Sequence, residues 1–279
     1  MSHARVVVLT VLALAAFAGN SLLCRAALSR SHIDAASFTS LRLLSGALVP
    51  WILVRLRGGG QSGQGSFLSS LALFAYAAGF SFAYLHLPAA AGALILFGAV
   101  QTTMIAVGIR SGERLRPAQL AGLLLAGGGL VGLLLPGWSA PALPSASLML
   151  GAGVAWGIYS VRGKGAGDAL QVTAGNFVRA VPMALVLSLL LLRDASFDPA
   201  GSGYAVLSGA LTSGVGYAIW YTALPFLKST SAAAVQLSVP VIAALGGVAF
   251  LDEPLTLRLL AASIAIVGGI ALVILRPRT

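Results

Sequence analysis

Ten apolar stretches, each near the length of a membrane-spanning helix, constrain the fold of this chain more than any other feature. A helix needs roughly 20 apolar residues to cross the ~30 Å hydrocarbon core of a bilayer. The predicted spans cover, to within about three residues at each end, Arg5–Leu23, Ala35–Val54, Phe67–Leu85, Pro88–Ile109, Ala118–Leu135, Ser147–Val161, Leu170–Leu192, Tyr204–Leu224, Ser229–Leu251 and Leu257–Leu275. Because lipid offers backbone groups no hydrogen-bond partner, we predict an all-α integral membrane protein.

The composition agrees with a lipid environment. Of the 279 residues, 58% are hydrophobic and 9% are charged, whereas about a quarter are charged in a typical soluble protein. The formal net charge is +10, but the basic residues stand singly or in small groups at the ends of spans, which argues against a nucleic-acid partner. The single cysteine, Cys24, excludes an internal disulfide and a cysteine-based metal cluster.

Two of the predicted hairpins repeat one pattern, a glutamate at the turn and a glycine pair fifteen residues later. Glu113 precedes Gly128–Gly129, and Glu253 precedes Gly268–Gly269, 140 residues further along the chain. The repetition predicts an internal duplication, with residues 1–137 and 146–279 as five-helix repeats and 138–145 as the connector. Because five is odd, the second repeat enters the membrane from the opposite side, so the two repeats are inverted. The glycines would let helix backbones approach closely.

The distribution of Lys and Arg predicts the orientation of the chain. With ten spans, eleven basic residues at span ends fall on the side of the N-terminus and four fall on the other side. An excess of this kind marks the cytoplasmic side, so we predict that both termini are cytoplasmic. Glu113 would then be cytoplasmic, and Glu253 would lie on the outer face.

These features together resemble the drug/metabolite transporter superfamily. The turn Glu253–Leu255, read Glu-Pro-Leu before a Gly-Gly helix, is similar to the hallmark of its EamA branch. Trp156–Gly157 at the opening of the second repeat, and an arginine in the second helix of each repeat, Arg42 and Arg179, fit the same branch. In the first repeat the turn departs from the hallmark, because Glu113 is not followed by proline.

The resemblance implies an inner-membrane carrier of small metabolites. Within the branch, the sequence looks most like bacterial exporters of aromatic and other neutral amino acids. Other cargoes, such as nucleosides, sugar conjugates or drugs, are alternatives within transport. A non-transporting membrane scaffold or sensor is the alternative outside transport, and the oligomeric state is left open.

The spans carry little that could support catalysis. They contain no metal-binding trio, no paired aspartates and no Ser/His pair, so we predict neither an enzyme nor a cofactor or metal site. All seven acidic residues fall in loops or at helix ends. A carrier coupled to protons commonly places a carboxylate at membrane depth, so this distribution favours a facilitator or an exchanger.

Polar and aromatic side chains within the spans are the candidates for a substrate pocket. An amide in lipid must face protein or a cavity, and an uncharged cavity lined by rings suits neutral or aromatic amino acids. The predicted substrate-binding residues are Asn20, Tyr76, Phe80, Tyr84, Gln101, Trp156, Tyr159, Tyr217, Tyr221 and Gln236. Helix-to-helix hydrogen bonds for the amides and simple packing for the rings are the competing interpretations.

Two arginines lie about two turns inside predicted spans. Arg42 and Arg179 can pair with a substrate carboxylate or phosphate, but their repetition in both halves favours a structural role. Helix interruptions near Pro182, Pro240 and Gly214–Gly216 are expected to expose backbone groups to the substrate. Alternating access around a central cavity would use apolar gates near two short turns, one at Pro88 and one at Lys228.

Overall fold

The computed structural model describes residues 1–58, 64–110, 117–135, 137, 140–163, 166–227 and 235–275. Within these ranges the chain is helical and contains no strand, as the apolar stretches predict. Glu113 and Lys228, which the sequence places at a cytoplasmic turn and at a gate, lie outside the described residues.

The described part of the chain forms ten helical segments at the positions of the ten predicted spans. The first seven are α1 His3–Arg30, α2 Ala35–Leu56, α3 Phe67–Tyr84, α4 Ala89–Arg110, α5 Pro117–Leu134, α6 Leu143–Gly163 and α7 Ala169–Leu190. α8 consists of an α-helix Pro199–Leu207, a π-helix Ser208–Val215 and an α-helix Gly216–Ala223. The last two are α9 Ser238–Leu251 and α10 Leu257–Leu275. Six of these, α1 to α5 and α7, are long and apolar enough to cross a membrane.

Two aspartates start helices and also tie neighbouring turns together. Asp34 caps α2 through the Ser37 amide and accepts a further bond from the Ser196 amide, both at 2.9 Å. Asp198 caps α8 and accepts from the His32 amide at 3.1 Å. Burial alone would raise the pKa of both carboxyl groups, but these and adjacent hydrogen bonds hold each pKa below its usual value. Both groups are therefore charged at neutral pH, and they join the α1–α2 turn to the α7–α8 connection.

Contacts between turns place alternate turns at opposite ends of the bundle. At one end, Arg25 near the end of α1 forms an ion pair with Glu253 in the α9–α10 turn. At the other end, Arg162 at the end of α6 donates to the Ser69 hydroxyl at the start of α3, at 3.2 Å. We name these the Glu253 end and the Arg162 end. The turns and helix ends that meet at each end are those expected of a chain that crosses the bundle once per helix.

Helices of the first half pack mainly against helices of the second half. α1 contacts α8 and α9, α6 contacts α3 and α4, and α2 lies between α7 and α8. Contacts of α3 with α7, α4 with α9 and α5 with α10 complete the bundle. The buried interior is therefore built between the halves rather than within either one.

α5 and α10 cross closely because glycine leaves room for backbone contact. A Cβ added at Gly122 would lie 2.5 Å from the Gly269 carbonyl oxygen. The packing role predicted for the repeated glycines holds at Gly269 and at Gly129, where an added Cβ would lie 2.7 Å from Ala265 Cβ. By contrast, a Cβ at Gly127, Gly128 or Gly268 would meet no atom within 4 Å, so the prediction is wrong for these three positions.

We expect Gly122→Ala to separate α5 from α10 and to destabilise the protein by about 1–3 kcal/mol, because the new methyl group overlaps a backbone carbonyl. Gly128→Ala is the matched control. It places the same methyl group in open space on the same helix, and alanine favours helix formation. Thermal unfolding in detergent should show a lower midpoint for Gly122→Ala and an unchanged or higher midpoint for Gly128→Ala. Equal midpoints would contradict the close crossing.

Candidate functional site

A buried hydrogen-bond network joins four helices in the interior of the bundle. The Tyr76 hydroxyl accepts from Asn20 Nδ2 at 3.1 Å and from Arg42 Nη2 at 3.0 Å. Asn20 Oδ1 in turn accepts from the hydroxyl groups of Ser208 at 2.6 Å and Thr212 at 3.2 Å. All five side chains are buried, so the network is closed to both ends in this conformation. Satisfied polar groups of this kind are what a dry interior requires.

The π-helical segment of α8 brings this network against α2. Ser208 and Thr212 lie at the start and the middle of the π-helix and both point their hydroxyl groups at Asn20. Between them, Gly209 lies so close to the Arg42 carbonyl oxygen that a Cβ could not fit. A side chain at Gly209 would therefore push α8 away from α2 and open the network.

Aromatic rings from five helices surround the network. Trp156 lies at the centre, with its ring centroid 4.7 Å from Tyr76, 4.9 Å from Tyr217 and 5.3 Å from Tyr159. Tilted and edge-on contacts at these distances are favourable for aromatic pairs. The aromatic cluster consists of Phe17 of α1, Tyr76 and Phe80 of α3, Trp156 and Tyr159 of α6, Phe177 of α7 and Tyr217 of α8.

The guanidinium group of Arg42 lies inside the aromatic cluster. Its Cζ is 4.8 Å from the ring centroid of Phe80 and 5.2 Å from that of Tyr76, within the range of cation–π contacts. Arg42 is 2% exposed and is the one formally charged residue among the buried residues that the structure describes. Its Nη1 atom is buried without a hydrogen-bond partner. The interior of the bundle therefore contains a positive charge whose donors are not all used.

Six of the ten predicted substrate-binding residues come together here, in the network or in the aromatic cluster. They are Asn20, Tyr76, Phe80, Trp156, Tyr159 and Tyr217. Tyr84 continues the α3 stripe towards the Glu253 end, with its ring 4.7 Å from Phe80. Its hydroxyl donates to the Ala89 carbonyl at 3.3 Å.

The other three predicted residues lie outside the aromatic cluster. Gln101 is buried in α4, and its amide nitrogen lacks a partner among the described residues. Tyr221 is half-buried near the Arg162 end of α8, where its hydroxyl faces Gly163. Gln236 is helical and half-buried, and it lies two residues before the first residue of α9.

The site also contains residues that the sequence did not single out. Phe17 and Phe177 contribute rings to the aromatic cluster, and Ser208 and Thr212 contribute hydroxyl groups to the network. Phe17 lies one turn before Asn20, so the helical period could have placed both on one face. Ser208 and Thr212 are four residues apart, so the helical period could have placed these two on one face as well.

The predicted helix interruptions have mixed outcomes. The π-helix ends at Val215, between Gly214 and Gly216, so an irregular segment does lie there. Pro182, in contrast, lies inside the continuous helix α7. Near Pro240 the helix is interrupted at Leu237, and Pro240 itself falls in the first turn of α9, where the missing amide proton has no helical partner to lose.

A second polar cluster lies at the Glu253 end of the bundle. Both carboxylate oxygens of Glu253 accept from the Ala89 amide, at 2.8 and 3.0 Å, and one accepts from Arg25 Nε at 3.2 Å. Arg25 also donates to the two carbonyl oxygens that end α3. A carboxylate at the first amide of α4 is stabilised by the helix dipole. The contacts near Pro88, where the sequence predicts an apolar gate, are therefore charged, and we name them the Glu253 junction.

The sequence profile described as the EamA-like transporter family matches residues 143–275. An uncharacterized protein of Pseudomonas aeruginosa is 56% identical over 279 residues, which is 100% of this chain and 97% of that protein. A protein solved by crystallography has a TM-score of 0.69 and 21% identity, with 98% of each chain covered, so it shares the fold.

We expect Tyr76→Phe to destabilise the protein by about 1–3 kcal/mol, because it leaves two buried donors, on Asn20 and Arg42, without their acceptor. Tyr84→Phe is the control. It removes one hydroxyl from the same face of α3, and that hydroxyl bonds to a single backbone carbonyl, so the loss should be about 1 kcal/mol or less. Thermal unfolding in detergent compares the two variants. A shift for Tyr76→Phe no larger than that for Tyr84→Phe would contradict the network.

Proposed function

Because this chain belongs to the EamA-like transporter family, a branch of the drug/metabolite transporter superfamily, we propose that it exports aromatic and other neutral amino acids from the cytoplasm. A protein of this family spans the membrane several times and carries a small molecule across the bilayer. We place the chain in the inner membrane with both termini in the cytoplasm, as its basic residues predict. The Glu253 end then faces the outside, and the Arg162 end faces the cytoplasm.

The pairing of helices supports two inverted repeats, residues 1–137 and 146–279. A pseudo-twofold axis that exchanges each helix with the one five positions later pairs each of the larger helix contacts with a mate or with itself. α1 packs on α8 and α9 as α6 packs on α3 and α4, and α2 packs on α8 as α7 packs on α3. The pairs α2–α7, α4–α9 and α5–α10 are their own mates. This arrangement suits two bundles that rock about a central site.

The observation that carries the proposed substrate is the aromatic cluster. Its rings come from both halves: α1 and α3 contribute on one side, and α6, α7 and α8 contribute on the other. A planar, apolar side chain can pack against Trp156 and the tyrosines in offset or edge contacts once these rings, which touch one another in this structure, separate. The described acidic residues all lie at helix ends, so the cluster contains no counter-charge for a cationic side chain.

The Glu253 junction supports alternating access, because it holds the outer end closed. It ties α1, the end of α3 and the start of α4 to the α9–α10 turn, and so links the two halves by charged contacts. Opening to the outside would break these contacts and expose both charges to water. Such contacts are individually weak enough to break and re-form during a transport cycle.

Counterflow in liposomes tests the substrate and the mechanism. Vesicles loaded with unlabelled phenylalanine should take up labelled phenylalanine, with competition by tryptophan, tyrosine and other neutral amino acids and with no requirement for a proton gradient. Trp156→Ala should reduce the rate by about tenfold, because it removes the central ring of the cluster. Trp51→Ala, which removes an outward-facing tryptophan of α2, should leave it unchanged. Absence of counterflow for every amino acid would refute the substrate, and a required proton gradient would refute a facilitator.

The single cysteine reports on the junction. Cys24 is fully buried and directly precedes Arg25 in α1. We expect Glu253→Gln to raise, several-fold, the rate at which a membrane-impermeant thiol reagent added outside intact cells modifies Cys24. Asp252→Asn is the control, because its ion pair with Arg30 is exposed and lies on the surface. Equal labelling of the two variants would show that the junction does not close the outer end.

A further inference from the structure

We propose that Arg42 is the carboxylate-binding residue of the central site, and that the transported molecule must carry one carboxylate beside its apolar or aromatic part. This inference rests on the proposed function, because it names the chemical group by which the same site recognises its substrate. A requirement for one carboxylate would admit amino acids and other monocarboxylates and would exclude nucleosides, neutral sugar conjugates and cationic drugs.

The first observation is the incomplete bonding of a buried charge. Arg42 Nη2 donates to the Tyr76 hydroxyl at 3.0 Å, whereas Nη1 is buried and has no partner. A guanidinium in a low-dielectric interior is costly unless it is paired and its donors are used. Its planar fork of donors matches a carboxylate, which can accept two parallel hydrogen bonds. The unused donor therefore indicates the position of an acceptor that arrives with the substrate.

The second observation is the chemistry of every element that packs around the guanidinium. α1 contributes Asn20 and the Cys24 thiol, α3 contributes Tyr76 and Phe80, and α8 contributes Tyr217, none of them an acidic residue. The described acidic residues lie at helix ends, outside this group. The site thus has one positive charge and no resident anion. A monoanion neutralises it, whereas a dianion such as a phosphate ester would leave an unpaired negative charge in the interior.

The third observation is the contrast with Arg179, the arginine at the matching position of the second half. Arg179 is half-buried, and its Nη1 donates to the carbonyl oxygens of Gln64 and Gly175, both at 2.9 Å. It therefore ties the chain before α3 to α7. The repetition in sequence does not extend to the surroundings of the two side chains, so a structural role for Arg179 is compatible with a binding role for Arg42.

The rings of the aromatic cluster favour neutral and aromatic amino acids over cationic ones. When a zwitterionic amino acid places its carboxylate on Arg42, its ammonium group has no carboxylate partner in the cluster, and it lies against ring faces such as that of Trp156. A second positive charge on the substrate would find no partner at all. Neutral and aromatic amino acids therefore fit the site better than lysine or arginine.

An acid and its amide provide the probe. 3-Phenylpropionate and 3-phenylpropionamide have the same ring and chain, and they differ in the carboxylate. In detergent, the acid should raise the unfolding midpoint of the wild-type protein at concentrations at least about tenfold lower than the amide, the ratio expected of a charge-assisted over a neutral hydrogen bond. In counterflow, the acid should compete with labelled phenylalanine by the same margin.

The variants are chosen to separate binding from folding. Arg42→Gln should abolish the preference for the acid, and Arg179→Gln should retain it. Arg42→Lys keeps the buried charge but lacks the planar fork, so it should fold and should bind the acid at least about tenfold more weakly than the wild type. The Lys variant carries the test if the Gln variant does not fold.

The outcomes distinguish this inference from the proposed function. Phenylalanine counterflow that the amide inhibits as well as the acid would refute the role of Arg42 and leave the amino-acid transporter in place. Retention of the acid preference in Arg42→Gln, or wild-type affinity in Arg42→Lys, would refute it as well. Absence of amino-acid transport, together with acid-specific stabilisation that Arg42→Gln abolishes, would refute the proposed substrate and support the carboxylate site. No stabilisation of the wild type by either compound would overturn the carboxylate site.

Discussion

The buried guanidinium of Arg42 is the interaction on which the interior of the bundle depends. A charged group inside a membrane protein cannot form hydrogen bonds to water, so side chains of neighbouring helices must supply its hydrogen-bond partners. The Tyr76 hydroxyl accepts a hydrogen bond from the Arg42 guanidinium and another from Asn20. Ser208 and Thr212 in turn donate to Asn20. These bonds join four helices, from both halves of the chain, and the aromatic rings pack around this network.

Much of the fold could be predicted from apolar length alone, because a bilayer sets both the length of a span and its composition. The ends of the helices could not. α1 continues for seven residues beyond the predicted end at Leu23, because Arg25 and Arg30 find partners in the α9–α10 turn. α8 begins at Pro199 because Asp198 caps it. These partners lie far away in the sequence, so hydropathy carries no information about them.

The candidate site was predictable where helical period decides which residues share a face. Tyr76 and Phe80 face inward together with Trp156 and Tyr159, as their spacing predicts. The environment of Arg42 was not predictable in this way. It depends on which helices surround α2, and the matching arginine of the other half meets backbone carbonyls near one end instead. Two arginines at matching sequence positions thus differ in both their burial and their neighbours.

The π-helix in α8 has a consequence for the register of that helix. A π-helical turn accommodates an extra residue, and in an α-helix each residue advances the chain by about 100° around the axis. If Ser208–Val215 rewound as α-helix, the residues that follow would rotate by about that angle relative to the residues before. Tyr217 would then turn out of the aromatic cluster while Ser208 stayed on Asn20. The π-helical segment therefore sets the rotation of the second part of α8 relative to the first part. Deletion of one residue within this segment would rotate the second part about the helix axis rather than only shorten the helix.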